Sequence, residues 1–82
     1  MSPKPLPILT SLQCRAARAA LRWGTRELAE RSGVGSTTIS RFEKDHSKPI
    51  HGNMLALRQA FEAAGVTFLN GDGLRVKVKT DD

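Results

Sequence analysis

The sequence predicts a mainly α-helical domain of about four helices that ends in a β-hairpin. Three observations predict it. Apolar residues recur at helical spacing between Thr10 and Ala64. Glycine, asparagine and proline punctuate that stretch and cut it into short helices. After Gly65 the period changes from 3.6 to 2, the spacing of a half-buried strand.

Each element has a local reason. Residues 1–9 carry Pro3, Pro5 and Pro7 at alternate positions, which resist helix and favour an extended arm. Thr10-Ser-Leu-Gln13 reads as a capping box. The Ala-, Leu- and Arg-rich run to Trp23 is the helix it opens, with Gly24 as its end. Cys14, Ala17 and Leu21 make its inward stripe, with Arg15, Arg18 and Arg22 off it. A second helix spans Thr25 to Ser32, capped by Gly24 or Thr25. Glu27 and Glu30 sit near its positive end, and Leu28 and Ala29 form its inner face. Gly33 suits a left-handed helix terminus. A third helix, about Ser36 to Lys44, buries Ile39 and Phe42. The fourth, Met54 to Ala64, is capped by Asn53 and buries Met54, Leu57, Phe61 and Ala64. Val66–Leu69 and Leu74–Lys79 are strands joined by the Asn70-Gly-Asp-Gly73 turn. Leu74, Val76 and Val78 form one face of the hairpin, and Arg75, Lys77 and Lys79 the other.

The chain has 82 residues, one small domain with no room for a second core. One cysteine, Cys14, excludes an internal disulfide, and with two histidines it makes no convincing metal site. Cys14 is expected in the core, and Trp23 against the second helix. A domain this small without a staple is expected to gain support from self-association. Thirteen Lys and Arg against eight Asp and Glu leave a net charge of +5, which favours a polyanionic partner. No apolar run approaches a membrane span, and the proline-rich start does not read as a signal peptide. No constellation of nucleophile and base supports an enzyme, and no cofactor or small-molecule site is suggested.

Two short helices around Gly33-Val34-Gly35 form the core of a helix-turn-helix. Small Ala29 lets the helices cross closely, and Val34 and Ile39 plug the angle between them. The stretch Arg15 to Val34, the Gly35 to Lys44 helix, Pro49 and the Leu55 to Val66 segment together resemble the Xre, or Cro/cI-type, helix-turn-helix regulators. The resemblance covers about residues 12–78. It implies a lambda-repressor-like bundle over 10–65, a hairpin over 66–79 serving dimerisation or packing, and a tail at 80–82.

The resemblance implies that Ser36, Thr37 and Arg41 face base edges, with Thr38 and Ser40 flanking them toward bases or phosphate. It implies that Thr25 and Arg26 clamp phosphate at the start of the second helix, and that Lys44, His46 and Lys48 lie along the DNA backbone. Arg41 is the residue best able to specify a base, through a bidentate pair to guanine. Lys4 in the arm is either a minor-groove contact or part of a solvated tail. Gly35 departs from the usual Ser or Thr cap, Ala20 from a larger Leu, and Arg22 from a common glycine. Glu43 is typical of the family and is expected to partner an arginine.

The expected function is that of a cytoplasmic, nucleoid-associated transcriptional regulator, a repressor or Cro-like switch. It would bind an inverted-repeat DNA operator as a homodimer, on a phage or integrative mobile element. The alternative is a protein-binding module, an antitoxin or antiactivator that sequesters another regulator.

Overall fold

The structure, a computed structural model, describes residues 8–77. Lys4 with the rest of residues 1–7, and Val78, Lys79 and the expected tail, lie outside the described residues. Four helices, α1 (Ser11–Leu21), α2 (Thr25–Ser32), α3 (Ser36–Glu43) and α4 (His51–Ala63), precede two strands, β1 (Val66–Phe68) and β2 (Leu74–Val76). The fold is therefore the expected mainly helical bundle with a C-terminal hairpin. The strands are antiparallel, with Val66 opposite Val76, Thr67 opposite Arg75 and Phe68 opposite Leu74.

The capping box at the start of α1 is complete. The Thr10 hydroxyl accepts from the Gln13 amide, and the Gln13 side-chain oxygen accepts from the Thr10 amide, both at 3.0 Å. Gln13 does more than cap. Its Nε2 donates to the carbonyls of Leu69 (3.1 Å) and Gly73 (2.8 Å), so one buried amide ties the start of α1 to both ends of the hairpin loop. Val66 and Phe68 enter the core, with Leu74 and Val76 packed against it. The described part of the hairpin's apolar face thus packs, half-buried, against the core of its own chain.

Helix α1 ends earlier than the sequence suggests. Arg22, not Gly24, is its left-handed terminus, at φ +58°, while Gly24 is extended and precedes α2. Arg22 occupies the position where the resemblance places a glycine, and the backbone shows why glycine suits it. Helix α4 begins before the expected Asn53 cap. Ile50, directly after Pro49, is its extended N-cap and makes no side-chain bond. Leu9, read as part of the arm, is almost wholly buried. Gly33 takes φ +77° and closes α2 through its amide to the Ala29 carbonyl.

The core is a single cluster including Leu9, Cys14, Ala17, Leu28, Val34, Ile39, Leu57 and Phe61. Trp23 stacks on Phe61 of α4, with centroids 5.7 Å apart and planes 15° apart, and Phe61 meets Phe68 edge-on at 5.9 Å. The expected packing of Trp23 on α2 is only part of its setting: Arg31 of α2 lies 4.5 Å from the indole centroid.

Arg18 corrects the reading of α1 most. Its guanidinium turns inward and grips Glu43 of α3 with two bonds, Nε to Oε2 at 2.9 Å and Nη2 to Oε1 at 2.7 Å. Its Nη1 donates to the Trp23 carbonyl at 2.9 Å. The Cys14 thiol donates to Glu43 Oε2 at 3.2 Å, so a buried carboxylate receives three donors. Helical spacing set Arg18 outside the stripe, but a long side chain can reach inward from a boundary position. Cys14 is in the core as expected.

Three outcomes test this account. Arg18→Met, which strands the Glu43 carboxylate, should cost about 3 kcal/mol in urea denaturation, and Glu43→Gln about 1. Burial, followed by the adjacent Glu43 carboxylate, pushes the Cys14 thiol well above its ordinary pKa. The unfolded chain therefore releases a proton that the folded one keeps, and stability should fall from about pH 8.5 upward. Cys14→Ala should flatten that alkaline slope in pH-dependent denaturation. At Arg22, the glycine variant should exceed the alanine variant by about 1 kcal/mol, read from their melting curves.

Candidate nucleic-acid interface

The candidate interface starts from two helix ends without side-chain caps. Gly24 and Gly35 are extended N-caps, and neither can offer a side-chain acceptor to the first turn. The first amides of α2, from Thr25 to Glu27, and of α3, from Ser36 to Thr38, precede the first intrahelical bonds. Those bonds run from Leu28 to the Gly24 carbonyl and from Ile39 to the Gly35 carbonyl. Such ends carry partial positive charge and unpaired N–H groups.

Between them the turn is fixed by a residue that sequence reasoning passed over. Ser32 donates from its hydroxyl to the Leu28 carbonyl at 2.7 Å and accepts from the Val34 amide at 3.1 Å. This bond ties the last turn of α2 to the incoming chain, while Val34 and Ile39 fill the space between the helices as expected. The available signal was a serine just before a helix-ending glycine, a position where hydroxyls commonly bond local backbone.

On α3 the buried side chains are Ile39, Phe42 and Glu43. At 100° per residue, the opposite face carries Thr37, Arg41 and Lys44, all exposed. Thr37 and Arg41 therefore share one outward stripe. Lys44 joins it as the C-cap of α3. Ser36, Thr38 and Ser40 are half-buried on its flanks, so Ser36 stands beside the stripe and not within it.

At the start of α2, Thr25 is half-buried and Arg26 exposed. His46 and Lys48 are exposed in the loop beyond α3. Its first bonds are the Asp45 amide to the Phe42 carbonyl at 3.0 Å and the His46 amide to the Arg41 carbonyl at 2.8 Å. A groove of about 300 Å³ runs beneath this loop, lined by Leu9, Phe42, Met54 and the residues from Asp45 to Lys48.

The ten expected site residues share one property. Among the described residues, none of their side chains makes an intramolecular hydrogen bond or ion pair. Three other arginines are committed. Arg18 holds Glu43, Arg31 lies 3.4 Å from Glu27, and Arg58 bonds Glu62 and the Ile8 carbonyl. Among the described residues, those pairings neutralise Glu27, Glu43 and Glu62 and leave Arg26, Arg41, Lys44 and Lys48 unpaired at the site, and Arg15, Arg22, Arg75 and Lys77 unpaired elsewhere. Glu30 is the exposed acid of α2 without a partner among the described residues.

No group of three or more metal-ligating side chains occurs among the described residues, and no helix among them is long and apolar enough to cross a membrane. No protein-family model matches the chain, and no curated protein matches it.

Proposed function

We propose that the chain is a sequence-specific DNA-binding transcriptional regulator that reads a major groove with α3. The observation that carries this reading is the outward stripe of Thr37, Arg41 and Lys44, unengaged within the chain, on the second helix of a helix-turn-helix. An exposed arginine flanked by hydroxyls has the donors needed to read guanine and to touch thymine methyls. The uncapped start of α2, with Arg26 exposed beside it, offers amides and charge to a phosphate. Lys44, His46 and Lys48 extend the same contact along the backbone.

The protein acts as a homodimer on an inverted repeat, with two copies of α3 entering major grooves about 34 Å apart. Such a complex represses or switches a promoter, in keeping with the resemblance to short regulators of phages and mobile elements.

Fluorescence titration with DNA from upstream of its own gene, at two salt concentrations, tests the reading. Arg41→Ala should weaken specific binding and relax preference at one base pair of each half-site. Arg26→Ala should weaken binding to all sequences alike and reduce the salt slope by about 1. Salt-insensitive, negligible DNA affinity together with a tight protein partner would instead establish a sequestering module.

A further inference from the structure

Asp45 is a negative charge set among Lys44, His46 and Lys48, where a phosphate backbone would repel it. Its backbone is also unusual. Among the described residues only Asp45 and Arg22 are non-glycines with positive φ, at +60° and +58°. Aspartate tolerates that region better than most side chains, because its short polar group bonds locally. Here the bond is not local: the Asp45 carboxylate accepts from the Ser11 hydroxyl at 2.6 Å, across 34 residues of chain.

Ser11 is the first residue of α1, whose first turn contains no acidic side chain. Asp45 therefore brings to the positive end of α1 the negative charge that the helix does not supply itself. This explains how an acid is accommodated in a basic loop. It is directed at α1, held by a hydroxyl and a helix end.

The loop has little else to hold it. Residues from Lys44 to Lys48 are all exposed, and the groove beneath them separates the loop from Leu9, Phe42 and Met54. Backbone bonds to α3 reach only as far as His46. Among the described residues, the Ser11–Asp45 bond is the one side-chain hydrogen bond or ion pair that reaches residues 44–48.

We propose that Ser11 and Asp45 are positioning residues, which dock this loop on α1 so that Lys44, His46 and Lys48 present a fixed cationic edge to a phosphodiester backbone. The inference rests on the DNA-binding reading above, and it assigns function to two residues that need not touch DNA. An exposed hydrogen bond adds little to global stability, so its effect belongs in the binding equilibrium.

The test uses a fluorescein-labelled mixed-sequence duplex titrated with the full chain over a series of KCl concentrations. Ser11→Ala removes the donor and keeps the charge. Asp45→Gly removes the acceptor while accepting φ +60°, and Asp45→Asn keeps an acceptor and loses the charge. Positioning predicts that Ser11→Ala lowers the salt slope by about 1 and weakens binding roughly 3–10-fold, with melting temperature nearly unchanged. It also predicts that Asp45→Asn retains the wild-type slope and binds roughly 3–10-fold tighter than Asp45→Gly. If Ser11→Ala binds like wild type, or if Asp45→Asn and Asp45→Gly tighten binding equally, Asp45 is only a repelling charge and the proposal fails alone. A wild-type chain without salt-dependent affinity for the duplex overturns the DNA-binding reading, and the positioning role with it.

Discussion

The geometry of the helix-turn-helix depends on one buried carboxylate. Glu43 lies at the end of α3 with almost no exposure, in surroundings that make an unpaired charge costly. Both of its oxygens are occupied by Arg18, and one also receives the Cys14 thiol. Because Arg18 reaches the Trp23 carbonyl as well, one guanidinium joins α1, the α1–α2 junction and α3. Its bonds to Glu43 hold the guanidinium protonated still more firmly than usual. Replacing such a pair with apolar groups of matched shape is often neutral, whereas removing one partner is not. The arrangement therefore acts chiefly through geometry, since any shift of α3 relative to α1 strands the carboxylate.

That clamp also sorts the charges. The acids of α2 and α3 that have basic partners find them away from the outward stripe of α3: Glu43 meets Arg18, and Glu27 meets Arg31, which also lies over Trp23. The cations left over on these helices and the following loop are Arg26, Arg41, Lys44 and Lys48. A net charge of +5 could be spread evenly over a surface. Among the described residues, Arg15, Arg22, Arg75 and Lys77 also stay unpaired elsewhere, but four of the unpaired cations lie where two helix N-termini and a row of hydroxyls also lie.

Much of this was legible in the sequence because it is local. The capping box at Thr10 and Gln13, the left-handed Gly33, the span of α2 and the strand alternation after Gly65 each follow from residues within a few positions of one another. What escaped depends on distant partners. Nothing near Gln13 announces that its amide also serves Leu69 and Gly73, nor does the spacing of Arg18 reveal its turn inward to Glu43. The start of α4 was misplaced because Asn53 is the better capping residue, yet the extended Ile50 after Pro49 already begins the helix. At the site, the face opposite Ile39 and Phe42 was readable from periodicity. The loop geometry set by Asp45 was not, since a left-handed aspartate has no sequence signature of its own.

Three of the four helices open without a side-chain cap, α4 on Ile50 and α2 and α3 on glycine. Helix α1, which carries the clamp and the hairpin tie, opens with a complete capping box. Helices α2 and α3, with eight residues each, open on glycines that leave their first amides uncapped. A serine or threonine at either position would add about 1 kcal/mol over a residue that cannot cap, though only a few tenths over glycine. Glycine thus costs the fold little, and it leaves the amides open without a side chain standing in front of them. A hydroxyl cap would occupy those donors and crowd the approach of an external oxygen. Under the proposed function, the open start of α2 is a site where a phosphate completes a hydrogen-bonding pattern that the isolated chain leaves unfinished.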